Sequence, residues 1–173
     1  MPSDCMRDIA FMLEPEGKLL LTKKVCQQIS HYRQATHRDK EAGGILLGRL
    51  FENKSDIIID EITTPLKHDK RARHTYYRSS GHHKIAVDKW KQSNGYCLYL
   101  GLWHTHPEKI PTPSSIDISD WKNAISNGKY EGDRLFFIIV GTKQICCWQG
   151  DKARRRMRRG TSNVQIKELE PWG

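Results

Sequence analysis

Short apolar runs at residues 8–14 and 18–21 flank Pro15-Glu16-Gly17, the pattern of two strands around a turn. From Thr22, a candidate N-cap, Val25, Ile29 and Tyr32 recur at i, i+4 and i+7. That spacing predicts a helix to about Gln34 with one buried face. His37 to Lys40 is a polar connection, after which Gly43 to Glu52 and Asp56 to Thr63 form a predicted strand pair joined around Asn53-Lys54-Ser55. Residues 67–78 show no period and are expected as a loop. Ser79 or Ser80 is placed to cap a second helix to about Gln92, with Ala86 and Trp90 on a shared face.

The most informative pattern is the strand Leu98 to His106. Its even positions are Leu98, Leu100, Leu102, His104 and His106, so alternation predicts one apolar face that ends in two histidines. Ser114 can then cap a third helix, with Ile118, Trp121 and Ile125 as its apolar stripe and Gly128 at its end. Leu135 to Val140 is a continuous apolar run, expected as a central strand beside Gln144 to Trp148 after a Gly141-Thr142-Lys143 turn. Asn163 to Leu169 alternates weakly and is expected at an edge. Hairpins and single helices are interleaved, which predicts an α/β (α+β) fold in one domain over residues 1–173: a mixed central sheet flanked by helices, with a basic C-terminal extension from about 151.

The two histidines have a chemical consequence. His104 and His106 share a strand face about 7 Å apart along the backbone, and their rings can converge on one ion. Pro107 ends the strand for want of an N–H. If Ser114 caps the following helix, Asp117 sits in its first turn and points its carboxylate back toward the strand end. Two imidazoles and one carboxylate leave a fourth zinc position for water, the arrangement of a catalytic centre. Taken singly, a His-x-His pair is more often exposed, and Ser-x-x-Asp is a common capping box. Glu41, at the head of Glu41-Ala42-Gly43-Gly44, is a carboxylate that can lie beside such a metal without binding it. The other histidines offer no ligand set: His82 and His83 point about 100° apart on a helix, and His31, His37, His68 and His74 lack acidic or thiol companions at ligand spacing.

Composition narrows the class. A chain of 173 residues, 37% hydrophobic and 28% charged, has enough apolar surface for a core and is neither collagen-like nor low-complexity. No apolar run approaches the roughly 20 residues of a membrane span, and the N-terminal stretch is broken at Glu14-Pro15-Glu16-Gly17-Lys18 with no basic leader before it. Five cysteines without framework spacing read as reduced, mostly buried thiols, so a cytoplasmic location is expected and no membrane partner. The net charge of +9 lies in two places: 67–78 carries +4, 151–159 carries +5, and the remainder sums to zero. Such stripes suit an acidic partner, although solvated basic loops look the same in sequence. Arg73 and Arg78 are the candidate substrate contacts, because the planar guanidinium grips carboxylates and carbonyls. A metal-free scaffold that binds nucleic acid is the reading from another class. It finds only Tyr76 and Tyr77 as stacking aromatics and no nucleic-acid motif.

Glu41, His104-Thr105-His106-Pro107, Ser114 and Asp117 together resemble the motif of the JAMM (MPN+) metalloproteases: glutamate, then His-[Ser/Thr]-His, seven residues, then Ser-x-x-Asp. Around it, Glu41 to Gly48, Thr64-Pro65, Arg71 to Arg78 and Tyr99 to Trp121 resemble small prokaryotic JAB-domain proteins, in particular the deconjugating peptidases of bacterial cyclic-oligonucleotide anti-phage (CBASS) operons. The resemblance implies a JAB/MPN-like fold, Zn(2+) held by His104, His106 and Asp117, Glu41 as general base, and Ser114 as hydrogen-bond donor to the oxyanion. It implies as substrate a protein with a conjugated C-terminal tail, a cGAS-like nucleotidyltransferase, and a functional link to an E1/E2-like ligase whose work is reversed. Trimming a ubiquitin-like or sulfur-carrier protein by the same chemistry stays open, because the zinc site does not encode the substrate tail.

Overall fold

The computed structural model describes residues 6–52, 54–152 and 164–173. It opens with β1 (Ile9–Met12), β2 (Lys18–Leu21), α1 (Lys23–His31), β3 (Gly43–Leu50) and β4 (Ile57–Ile62). A two-stranded hairpin, β5 (Lys70–Arg71) with β6 (Tyr76–Tyr77), leads into α2 (Gly81–Gln92). Then follow β7 (Leu98–Thr105), α3 (Ser115–Asn127), β8 (Arg134–Val140), β9 (Ile145–Lys152) and β10 (Val164–Glu168).

Eight strands form one sheet in the order β1-β2-β4-β3-β7-β8-β9-β10. Only the β2–β4 and β7–β8 pairs are parallel. The sheet curls until its two ends meet: Phe11 bridges Pro171, the Met12 N–H donates to the Glu170 carbonyl at 2.8 Å, and the Trp172 N–H donates to Ala10 at 2.9 Å. Joining the ends satisfies backbone groups that an open edge strand would leave exposed for pairing with other chains.

Helices cover both faces. On one side α1 inserts Val25, Cys26 and Ile29 among Leu46, Trp103, Phe136 and Ile138. On the other, Ala86 of α2 and Trp121 and Ile125 of α3 pack on Ile45, Leu102, Phe137 and Ile139. Burial on both faces explains why β8 is apolar at every position from Leu135 to Val140. The β7–α3–β8 crossover brings the start of α3 to the C-terminal end of β7, beside the first residues of β3.

The single apolar face expected along 98–106 is corrected by a bulge. Leu46 of β3 pairs with Gly101 and Leu47 with Tyr99, so Leu100 is an extra residue on β7. An extra residue reverses the alternation beyond it. Leu98 and Leu100 therefore pack with Trp103 on the α1 side, while Leu102 lies on the α2 and α3 side. Both histidines lie past the bulge and still share a face. Gly101, at φ +150, permits the bend; a Cβ there would sit 1.7 Å from the Phe136 carbonyl oxygen.

Other expectations change in detail. Helix α1 stops at His31 rather than Gln34, because Gln34 turns inward to bury its amide. The 67–78 segment, expected as a loop, contains the β5–β6 hairpin. Ala86 is buried, whereas Trp90 stays 48% exposed beside the turn that ends α2. β9 continues to Lys152, four residues beyond the expected end. The basic run from Arg154 to Arg159 lies outside the described residues. Among the described residues no helix is long and apolar enough to cross a membrane.

Candidate metal centre

Three donors converge where β7 meets α3. The Nε2 atoms of His104 and His106 are 3.0 Å apart. Asp117 places Oδ1 at 3.3 Å from His104 Nε2 and Oδ2 at 3.1 Å from His106 Nε2. Bonds of about 2.0–2.1 Å at tetrahedral angles put neighbouring zinc donors about 3.3 Å apart, so this spacing fits the edge of one zinc tetrahedron. Two imidazole nitrogens aimed at each other beside a carboxylate also favour a cation between them. Among the described residues, this is the one group of three or more His, Cys, Asp or Glu side chains close enough to hold a metal.

Local rules place each donor. β7 supplies His104, and His106, one residue past its end, keeps the two-residue period of a strand, its N–H continuing the ladder to the Val140 carbonyl at 3.1 Å. Pro107 then ends the strand, and Ser114 caps α3 in a complete capping box. The Asp117 N–H donates to Ser114 Oγ at 3.0 Å, and the Ser114 N–H donates to Asp117 Oδ2 at 2.8 Å. The cap thus holds one carboxylate oxygen while the group faces the histidines. Because Ser114 Oγ accepts in the cap, its own O–H is left to donate. Trp121, one turn further along α3, packs edge-on against His104 at 6.4 Å and stacks on Phe137 at 4.7 Å.

Glu41, two residues before the start of β3, is buried, and its Oε1 lies 4.0 Å from His106 Nε2. It stands near the donor cluster without belonging to it. Burial pushes its carboxyl up to about 7; the His106 charge opposes this, and Asp117 and Glu108 reinforce it. Asp117 behaves oppositely. Burial disfavours its charge, but hydrogen bonds from His104 and His106 outweigh that and hold it well below the usual carboxylate range. For His106, burial lowers the pKa, yet Asp117 and Glu108 prevail and raise it.

Glu108 is the residue that the sequence reading missed. Its Oε1 lies 2.8 Å from His106 Nδ1, so a proton on Nδ1 leaves Nε2 free as the ligand atom. The loop that carries it is fixed by the β8–β9 turn, where the Thr142 N–H donates to the Glu108 carbonyl at 2.7 Å. The available signal was a carboxylate two residues after the second histidine, obscured because Pro107 ends the strand.

The basic hairpin docks on Glu41 through its backbone. The Glu41 N–H donates to Ala72 O at 2.8 Å, and Arg71 Nε donates to Glu41 O at 2.8 Å. Among the described residues, Arg71 supplies the guanidinium bound to that carbonyl. Arg73 instead donates to Thr36 O at 3.2 Å, and Arg78 sits where its charge is felt by Tyr76 and Tyr99. His82, set aside as a ligand, is wholly buried and lies 2.7 Å from Asp69 Oδ2. Cys97, Cys146 and Cys147 are free thiols, and the buried Cys26 thiol donates to Leu21 O at 3.8 Å.

Comparison with known proteins follows the same lines. Residues 22–159 match the family described as prokaryotic homologs of the JAB domain. The chain is 33% identical over 155 residues to a "CD-NTase/cGAS isopeptidase" of Escherichia coli (strain TW11681), covering 89% of this chain and 94% of that protein. A protein of the same name from Pseudomonas aeruginosa (strain BWHPSA011 / Pa011) is 37% identical over 128 residues, 73% of this chain and 79% of the relative. The solution structure of protein DSY2949 from Desulfitobacterium hafniense matches in fold with a TM-score of 0.51 at 22% identity, over 87% of this chain and 88% of that one.

Proposed function

The chain belongs to the family of prokaryotic homologs of the JAB domain, and from that premise we propose that it is a zinc-dependent isopeptidase of the cytoplasm. Its substrate is a protein whose C-terminus has been joined to a lysine or to an extra C-terminal segment. A cGAS-like nucleotidyltransferase is the protein that the relatives' names favour. Hydrolysis frees that C-terminus and reverses an E1/E2-like ligation in anti-phage defence. The observation that carries this reading is the donor set His104, His106 and Asp117, mutually 3.0–3.3 Å apart, with buried Glu41 4.0 Å from His106.

His104, His106 and Asp117 would hold the metal. Zinc, when bound, lowers the pKa of its water to about 7 and polarises the scissile carbonyl. Glu41 takes a proton from the attacking water and passes it to the departing amine, a task suited to a carboxyl poised near 7. Ser114 donates its free O–H to the oxygen that gains negative charge. Arg73 and Arg78 grip the substrate protein or its tail.

Purified protein is expected to carry one zinc per chain and to cleave a nucleotidyltransferase conjugate. His104→Ala and Asp117→Ala should lose metal and cleavage together, whereas Glu41→Gln should keep the metal and lose turnover by about 10²–10⁴. Zinc content near zero that reconstitution does not raise overturns the reading. A Glu41→Gln enzyme with normal turnover moves the base elsewhere. Arg73→Ala and Arg78→Ala should raise KM at low salt, with the difference fading as the Debye length shrinks. Unchanged KM at every salt concentration removes both from the substrate site.

A further inference from the structure

Thr105, between the two metal-ligating histidines, points to the opposite face of β7 and is wholly buried. Its hydroxyl accepts the Ala42 N–H at 3.0 Å and donates to Gln34 Oε1 at 3.0 Å. Gln34, 3% exposed, spends both amide donors on main-chain carbonyls: Asp39 O at 3.2 Å and Arg73 O at 2.8 Å. The backbones reinforce the link, since the Thr105 N–H donates to Ala42 O at 2.9 Å. One hydroxyl and one amide therefore join the histidine strand, the residue after Glu41, the connection before it, and the basic hairpin.

A buried, fully satisfied polar pair specifies one arrangement of the segments that it joins, because any shift leaves donors unpaired in a dry environment. Here the segments are those whose relative position sets the distance from Glu41 to the donor cluster. We propose that Thr105 and Gln34 are positioning residues for Glu41. Thr105 fixes the start of β3 against the strand of His104 and His106, and Gln34 carries the same constraint to the hairpin that clamps the Glu41 backbone. This rests on the zinc isopeptidase reading. Neither residue touches the substrate or the metal, and both act through Glu41. Their side chains face away from the reacting atoms, so only the placement of the base passes their effect to the reaction.

The test compares Thr105→Val, nearly isosteric but without the hydroxyl, with Thr105→Ser, which keeps it, in the full-length protein. Gln34→Met provides a second route should Thr105→Val fail to fold. Thr105→Val is expected to lower kcat by about tenfold to hundredfold, as misplacement on the ångström scale does, with KM and zinc content unchanged. Thr105→Ser should recover to within a few-fold of wild type. Amide hydrogen exchange supplies a readout independent of turnover. It should quicken at Ala42 in Thr105→Val, and at the Glu41 N–H bonded to Ala72 O in Gln34→Met, while β8 amides stay protected. Wild-type kcat with unchanged Ala42 exchange in Thr105→Val overturns the proposal. So does a fall in kcat matched by zinc loss or by faster exchange throughout β8, which marks a merely structural role. A wild-type protein that neither binds zinc nor cleaves conjugate overturns the isopeptidase reading itself, and the proposal with it.

Discussion

Replacing Asp69 should unfasten the basic hairpin from the body of the protein. The Asp69 side chain is fully buried beside His82 and accepts five hydrogen bonds. Ser79 gives two to Oδ1, from its N–H at 2.9 Å and its O–H at 2.6 Å. The Leu66 N–H at 2.9 Å, the Tyr76 hydroxyl at 2.7 Å and His82 Nε2 at 2.7 Å share Oδ2. In Asp69→Ala the hydroxyls can find other acceptors; Tyr76, for one, lies 2.9 Å from Gly43 O. The two backbone N–H groups are left unpaired, at about 1–3 kcal/mol each, and His82 Nε2 keeps only the Tyr76 hydroxyl at 3.3 Å. A total of about 4 kcal/mol agrees with the cost of breaking a buried pair, and at this chain length it lowers Tm by about 8–16 °C. The loss should depend on pH. Burial disfavours the Asp69 charge, but hydrogen bonds from Ser79, Leu66, Tyr76 and His82 outweigh it and hold the carboxyl well below its ordinary value. The folded chain therefore binds this proton less readily than the unfolded one. The carboxylate's share of stability is complete above the unfolded value of about 3.9 and is lost as pH falls through it toward the folded value. Thermal melts of wild type and Asp69→Ala should differ most at pH 5–7, and the gap should begin to narrow below about pH 4. A Tm within 2 °C of wild type at neutral pH, or a gap that stays constant down to pH 3, would refute the argument.

Glu108→Ala should weaken zinc binding by about 10–100-fold in chelator competition, with Glu108→Gln much closer to wild type, because an amide oxygen still accepts from His106 Nδ1. Equal affinity in Glu108→Ala removes it as the orienting group. Ser114→Ala should separate into two measurable losses: about 1 kcal/mol of stability from the cap, read by melting, and about 10²–10³ in kcat from the lost oxyanion donor. If the loss of turnover follows the stability change alone, the serine is only a cap. Gly101→Ala should abolish soluble expression, since the new Cβ would meet the Phe136 carbonyl oxygen within β7–β8 pairing at a φ of +150; a folded variant with wild-type circular dichroism would contradict the bulge.

The chemistry-bearing part of this protein was legible because its signals are local. Two histidines at strand spacing, a proline that stops the strand, and a serine that caps a helix three residues before an aspartate each act within a turn or two of chain. Capping and alternation therefore place His104, His106, Ser114 and Asp117 without reference to any tertiary contact. The helical stripe of Trp121 and Ile125 and the doubly buried run of β8 follow the same logic. Tertiary structure decided what depends on distant partners. The β7 bulge arises from pairing with β3 and cannot be seen in an alternating run that looks unbroken. Thr105 resembles a spacer until it meets Ala42, 63 residues away, and Gln34, 71 away. Gln34 ended its helix early because burying an amide with three satisfied hydrogen bonds outweighs continuing a helical period. Likewise Asp69, in a stretch without period, and His82, in the first turn of α2, became a buried pair only because β3, the residue after β4 and the hairpin meet around them. A generic polar side chain carries no mark of its future partner. Its role is set by which donors the finished fold leaves around it in a place that water cannot reach.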